Sequence, residues 1–130
     1  MFTEQGGDEV ARKLLRANPD ITAIYASSIG QGIGTIHAAW RLGLTVPDDL
    51  SVIAYDDLPL ANYTVPPLTT IRVPLERLGA AGLDALAAQL AGEKPGDIVI
   101  PVEPVVVIRA STAPPATGAG RHNRQRKPRG

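Results

Sequence analysis

The chain has 130 residues, 44% of them hydrophobic, with no cysteine and a formal net charge of zero. That length suggests one domain able to bury a core. The missing cysteines exclude a disulfide framework and a thiolate metal site, no apolar run approaches the ~18 residues of a membrane span, and the N-terminus lacks the charged-then-apolar pattern of a leader, so a cytoplasmic protein is expected.

The first helix is expected over about residues 7–17, where Val10, Ala11, Leu14 and Leu15 make an apolar stripe. Asn18-Pro19 stops it, because the residue before proline is pushed out of the helical region. Residues 21–26 (ITAIYA) are rich in β-branched and aromatic side chains and predict a buried strand. A second helix follows over about 31–42, with Ile33, Ile36, Ala39 and Trp40 on one face and Gly43 as a left-handed cap. Residues 51–55 (SVIAY) are almost wholly apolar, as a strand covered on both faces by helices would be. Strand, helix, strand in that order argues for a parallel sheet. A further strand is expected over 68–73. Pro74 suits the first turn of a third helix, whose stripe is Leu75, Leu78, Leu83, Leu86 and Leu90 and which Gly92 ends. Residues 98–100 and 105–109 read as strands split by Pro101 and Pro104.

From Ser111 onward the chain reads as linker and tail. Arg121, Arg124, Arg126, Lys127 and Arg129 are five of the 13 basic residues, which leaves 8 against 13 acids elsewhere. The tail is thus near +5 and the body near −5. Clustered bases can bind phosphate, but a Gly-, Pro-, Ala- and Arg-rich end without apolar periodicity reads first as disordered. The domain expectation is one α/β unit over 1–110 and a basic tail over 111–130.

Ligands of open parallel sheets bind in the crevice beyond the carboxyl ends of the strands. Asp56 stands at such an end, with two acceptor oxygens suited to vicinal hydroxyls. On the residues alone, Asp56 and Asp57 read equally well as the start of the turn before Pro59. Ser27 and Ser28 end the preceding strand and suit either ligand contact or capping of the next helix. Gly30, Gly32 and Gly34 resemble a phosphate-cradling turn, but the G-x-G-x-x-G fingerprint fails at Thr35. His37 and His122 have no second ligand at metal spacing. A Ser27–His37–Asp56 triad lacks the G-x-S-x-G context. Leu58, Leu60 and Tyr63 are unusually apolar for a loop and fit a partner surface. Trp40 and Tyr63 are not interleaved with bases, so they read as packing or interface residues rather than a nucleic-acid platform.

Three elements occur together over about thirty residues: Val46-Pro47-Asp48-Asp49-Leu50-Ser51-Val52, then Tyr55-Asp56-Asp57, then Pro66-Pro67-Leu68-Thr69-Thr70-Ile71. In this order and spacing they resemble the C-terminal half of the effector-binding core of lactose-repressor-type (LacI/GalR) transcription regulators. The resemblance implies a partial periplasmic-binding-protein-like (type I) fold, three-layered α/β/α with a mostly parallel sheet. It implies a sugar or related polar metabolite as effector, a homodimer, and operator DNA contacted through a helix-turn-helix outside these residues. It implies no enzyme activity, metal or cofactor.

By the same resemblance, Asp56 contacts effector, Asp57 stays a turn or cap residue, Ser27 and Ser28 replace the family's usual Asn-Asp, and Val73 and Leu75 line the cleft. Leu58, Leu60, Tyr63, Ile33 and Trp40 fall on elements that contribute to the subunit interface. The helix at 75–90 would pack on another subdomain, worth roughly 6–12 kcal/mol over four leucines. A sugar-binding transport receptor of the same fold and a nucleotide-binding enzyme fragment are the alternatives.

Overall fold

The computed structural model describes residues 2–115. The elements are α1 (Glu4–Ala17), β1 (Ala23–Ala26), α2 (Ile29–Arg41), β2 (Ser51–Tyr55), a 3-10 turn (Pro59–Asn62), β3 (Thr69–Arg72), α3 (Leu75–Leu90) and β4 (Val105–Val107). They form two compact units, residues 73–105 being one and the rest of the described residues the other.

In the larger unit, β1 pairs with β2 in parallel (Ala23 with Ser51 through Ala26 with Ala54), and β2 pairs in parallel with β3 (Ile53 with Thr69 through Tyr55 with Ile71). The sheet order is β1-β2-β3-β4. The α/β class with a mostly parallel sheet, expected from strand–helix–strand order, is what the chain adopts. β2 alternates between buried and half-buried residues, so the expectation that helices cover both its faces is corrected. Val52 and Ala54 point into the core with Leu50 and Leu68, all fully buried. A fully buried leucine stabilises by about 1.5–3 kcal/mol, so this small cluster is the main apolar anchor.

Glycines set how closely the helices approach. A Cβ on Gly32 would stand 2.7 Å from the Ala54 Cβ, so α2 lies almost directly on β2. A Cβ on Gly34 would stand 2.0 Å from the Glu4 carbonyl oxygen, and one on Gly7 2.5 Å from that of Gln31. Here α1 and α2 meet backbone to backbone. Gly30, Gly32 and Gly34 are therefore buried residues of α2, and the phosphate-turn reading is replaced by the packing one.

Helix starts lie earlier than periodicity suggests, because capping decides them. The Thr3 side chain accepts from the Gly6 N–H and starts α1, with Gly6 and Gly7 helical. Ser28 does the same for α2 through the Gln31 N–H. Gly43, at φ 75, turns the chain out of α2 as expected.

Residues 109–113 are stitched to the sheet. The Ser111 hydroxyl donates to the Val52 carbonyl at 2.6 Å and accepts from the Thr69 N–H at 2.8 Å. The Ala113 N–H donates to the Ser51 hydroxyl at 3.0 Å. The expected linker beginning at Ser111 is thus corrected for 111–113, since Ser111 is fully buried. The basic residues 121–129 lie outside the described residues, as does His122.

In the smaller unit, α3 runs Leu75–Leu90 and buries no residue within the described chain. Gly92 (φ 85) follows its end. The strand expected at 98–100 does not form, while β4 covers three of the five residues expected at 105–109. Pro101 and Pro104 lack the N–H that a ladder needs.

Candidate ligand site at the carboxyl end of the sheet

Parallel pairing puts the carboxyl ends of β1, β2 and β3 on one edge. Beyond Ala26 the chain gives Ser27 and Ser28, beyond Tyr55 it gives Asp56 and Asp57, and β3 ends at Arg72. The two adjacent carboxylates have opposite environments.

Asp57 is saturated. Its Oδ1 accepts from the Thr70 hydroxyl and from Arg109 Nη2, both at 2.7 Å. Its Oδ2 accepts from Arg72 Nε at 2.7 Å and lies 2.6 Å from Arg72 Nη2. Four donors fill the roughly four lone-pair sites of a carboxylate. The Asp57 side chain is only 6% exposed. Burial alone would raise its pKa, but the hydrogen bonds from Thr70, Arg109 and Arg72 outweigh it and hold the carboxyl at about 2. Asp57 is therefore a structural ion-pair centre, more than the turn or cap residue expected.

Arg109 is the other half of that centre. Its Nε donates to Asn62 Oδ1 at 2.8 Å, and its Nη1 to the Leu68 carbonyl at 2.9 Å and the Thr70 hydroxyl at 2.8 Å. One planar guanidinium thus joins the 3-10 turn, β3 and the loop after β2, a task that suits its rigid fork of donors. Sequence reading missed Arg109, Arg72 and Thr70, because no local pattern links residues 13 to 52 positions away from Asp57.

Asp56 is half-buried, and among the described residues its carboxylate has no hydrogen-bond or ion-pair partner. Its backbone has φ 70. A left-handed backbone is uncommon away from glycine, with Asp among the more tolerant types, and such strain concentrates at ligand sites. The geometry leaves a free acceptor pair at the strand-end edge where parallel sheets bind ligands.

The serines divide in the same way. Ser28 is taken up by the α2 cap, its hydroxyl 3.3 Å from the Gln31 nitrogen. Of its two expected roles, the geometry shows capping. Ser27 is exposed and donates to Gln31 Oε1 at 2.7 Å, a surface contact. Val73 and Leu75 belong to the smaller unit, Val73 half-buried and Leu75 exposed.

His37 is committed elsewhere. Its Nδ1 lies 3.1 Å from Asp8 Oδ1, and its ring stacks on Trp40. Asp8 also accepts from Arg12 Nε at 2.9 Å. Burial works against the charged form of Asp8, yet the Arg12 and His37 contacts keep its pKa below the ordinary value. The triad with Ser27 and Asp56 is thereby removed. Leu58, Leu60, Tyr63 and Trp40 are exposed, Tyr63 by 81%. Ile33 is half-buried and packs partly against the core.

A family model described as a periplasmic binding protein-like domain matches residues 2–112, which defines the class of this α/β unit. The chain is 38% identical over 113 residues to the HTH-type transcriptional regulator MalR of Streptomyces coelicolor, covering 87% of this chain and 32% of that one. It is 34% identical over 111 residues to the lactose operon repressor of Rhizobium radiobacter, covering 85% and 96% respectively. Among solved structures, a LacI family transcriptional regulator from Mycobacterium smegmatis matches with TM-score 0.82 at 34% identity, over 88% of this chain and 44% of that one. A LacI family regulator from Enterococcus faecium with bound ribose matches with TM-score 0.74 at 29% identity, over 88% and 42%. The chain belongs to the LacI-type transcription regulator family, in its periplasmic-binding-protein-like domain. It spans about a third of the length of MalR.

Proposed function

We propose that this chain is the effector-sensing part of a LacI-type transcription regulator, and that Asp56 holds a sugar or related polar metabolite through paired hydroxyl hydrogen bonds. The observation that carries this is the pair of carboxylates, Asp57 consumed by four internal donors and Asp56 left with none. A hydrogen bond to a charged group contributes about 1.5–3 kcal/mol, enough to orient a small polyol. Ser27 is the second contact in this reading, and its bond to Gln31 lies at the surface, where a ligand hydroxyl can replace it. A ribose-bound relative of the same fold supports the ligand class.

The effector acts by shifting a population. It bridges two subdomains and changes their angle, and only a difference in affinity for the two arrangements can do so. Operator DNA is contacted through a helix-turn-helix outside these residues, in a homodimer. Leu58, Leu60, Tyr63 and Trp40 form the exposed apolar set that supports such a dimer. The reading makes the chain a cytoplasmic binding module and not an enzyme, without metal or cofactor. Residues 1–110 carry the sensing in this reading.

A thermal-shift panel of ribose, lactose, cellobiose and nicotinamide dinucleotides tests this. The reading expects a saturable shift from a sugar and none from the dinucleotides. A shift from the dinucleotides alone would move the chain to the nucleotide-enzyme class.

A further inference from the structure

We propose that Asp57 and Arg109 are positioning residues: their contact holds the Asp56 backbone in its left-handed state and so keeps the Asp56 carboxylate turned away from the protein's own donors. The proposal rests on the reading of Asp56 as the ligand's carboxylate.

Three observations converge. First, Asp56 is the only non-glycine residue with a positive φ in the described chain, at 70°. An L residue does not stay there without surrounding constraint. Second, the constraint is visible on both sides. Upstream, β2 is paired with β1 as far as Ala54 and with β3 as far as Tyr55. Downstream, the Asp57 side chain is anchored by Thr70, Arg72 and Arg109, with distances of 2.6–2.7 Å. Asp56 is the single residue between two fixed points, so its backbone absorbs the turn.

Third, the anchor is itself over-determined. Arg109 also bonds Asn62, the Leu68 carbonyl and Thr70. Its own N–H donates to the Thr69 hydroxyl at 3.0 Å. The neighbouring Ser111 is locked to β2 and β3. The final segment of the fold thus reaches back about fifty residues in sequence to set one dihedral angle. Saturation of Asp57 has a second consequence. With Thr70, Arg72 and Arg109 all engaged by one carboxylate, Asp56 has no competing cation within the clamp.

The test needs no ligand, so its failure is separate from failure of the sugar panel. In NMR spectra, a left-handed residue gives a strong intraresidue HN–Hα cross-peak. The wild type is expected to show it at Asp56. Asp57→Asn and Arg109→Gln are expected to lose it, while the residues of β1 and β2 keep their strand pattern. Arg72→Gln, at a side chain 61% exposed, retains the fold and loosens the clamp. In that variant amide exchange at Asp56 and Asp57 is expected to rise at least threefold, with α1 and α2 unchanged. Survival of the left-handed cross-peak in Asp57→Asn overturns the inference. So do equal exchange rates at Asp56 and Asp57 in wild type and Arg72→Gln.

Discussion

Replacing Asp57 by asparagine should destabilise the chain in a pH-dependent way. The carboxyl sits at about 2 against an ordinary 3.8. Such a depression corresponds to about 2 kcal/mol. Asparagine keeps the shape and one acceptor but loses the charge. Arg109, with a side chain only 12% exposed, then keeps its own charge without the Asp57 counter-charge. Breaking a buried pair in this way costs about 3–5 kcal/mol at the upper end. Arg72 is mostly exposed and adds little. The expected loss at pH 7 is therefore about 2–4 kcal/mol, a large fraction of the 5–15 kcal/mol typical of a domain.

The pH dependence has a definite sign. A depressed folded-state pKa contributes fully above the unfolded value, near 4, and the contribution is lost as pH falls through about 2. Urea unfolding at pH 7 and near pH 2 measures both ends. The gap between wild type and Asp57→Asn should narrow by about 2 kcal/mol at the acid end. A gap below about 0.5 kcal/mol at pH 7, the size of an ordinary surface change, or one that stays constant with pH, would refute the reasoning.

Gly34→Ala should lower the melting temperature by about 10 °C or more, since its Cβ would meet backbone of α1 at 2.0 Å and overpacking costs about 1–3 kcal/mol or above. Gly79→Ala, with nothing within 4 Å of its Cβ, should instead gain up to about 1 kcal/mol; circular-dichroism melts that rank the two the other way contradict the packing account. Ser28→Ala should cost about 1 kcal/mol in chemical denaturation as a lost helix cap, whereas Ser27→Ala should leave stability within about 0.5 kcal/mol and weaken sugar binding instead. Leu75, Leu78, Leu83, Leu86 and Leu90 are all exposed on α3, so the chain should self-associate in sedimentation velocity and the Leu83→Glu, Leu90→Glu double variant should disperse it. A wild type that sediments as a monomer at every concentration would remove that expectation.

What sequence revealed follows the range of the forces involved. The apolar run of β2, the leucine stripe of α3 and the glycine turn at Gly43 are set within a few residues, and all three were legible. Helix starts depended on single hydroxyls: Thr3, which sequence reading passed over, and Ser28, which it left undecided between cap and ligand roles. Alternation along β2 was hidden because Ile53 and Tyr55 are apolar yet half-buried. Glycines 30, 32 and 34 suggested a turn, until the approach of α1 at Gly34 and of Ala54 and Leu68 at Gly32 showed why no side chain fits at those two. Asp56 was marked by its place at a strand end and by family resemblance, but its left-handed backbone was not. Asp57, Thr70, Arg72 and Arg109 could not be joined from sequence, since tertiary folding alone brings Arg109 beside a residue 52 positions earlier. Ser111 was misread as linker for the same reason.

Isothermal titration of a sugar from the panel against wild type and Asp56→Asn bears most directly on the central claim. Loss of a charged acceptor worth about 1.5–3 kcal/mol corresponds to a dissociation constant raised roughly ten- to 150-fold, with the unfolding midpoint of the free protein little changed. Affinities agreeing within twofold would contradict the claim that the Asp56 carboxylate holds the effector.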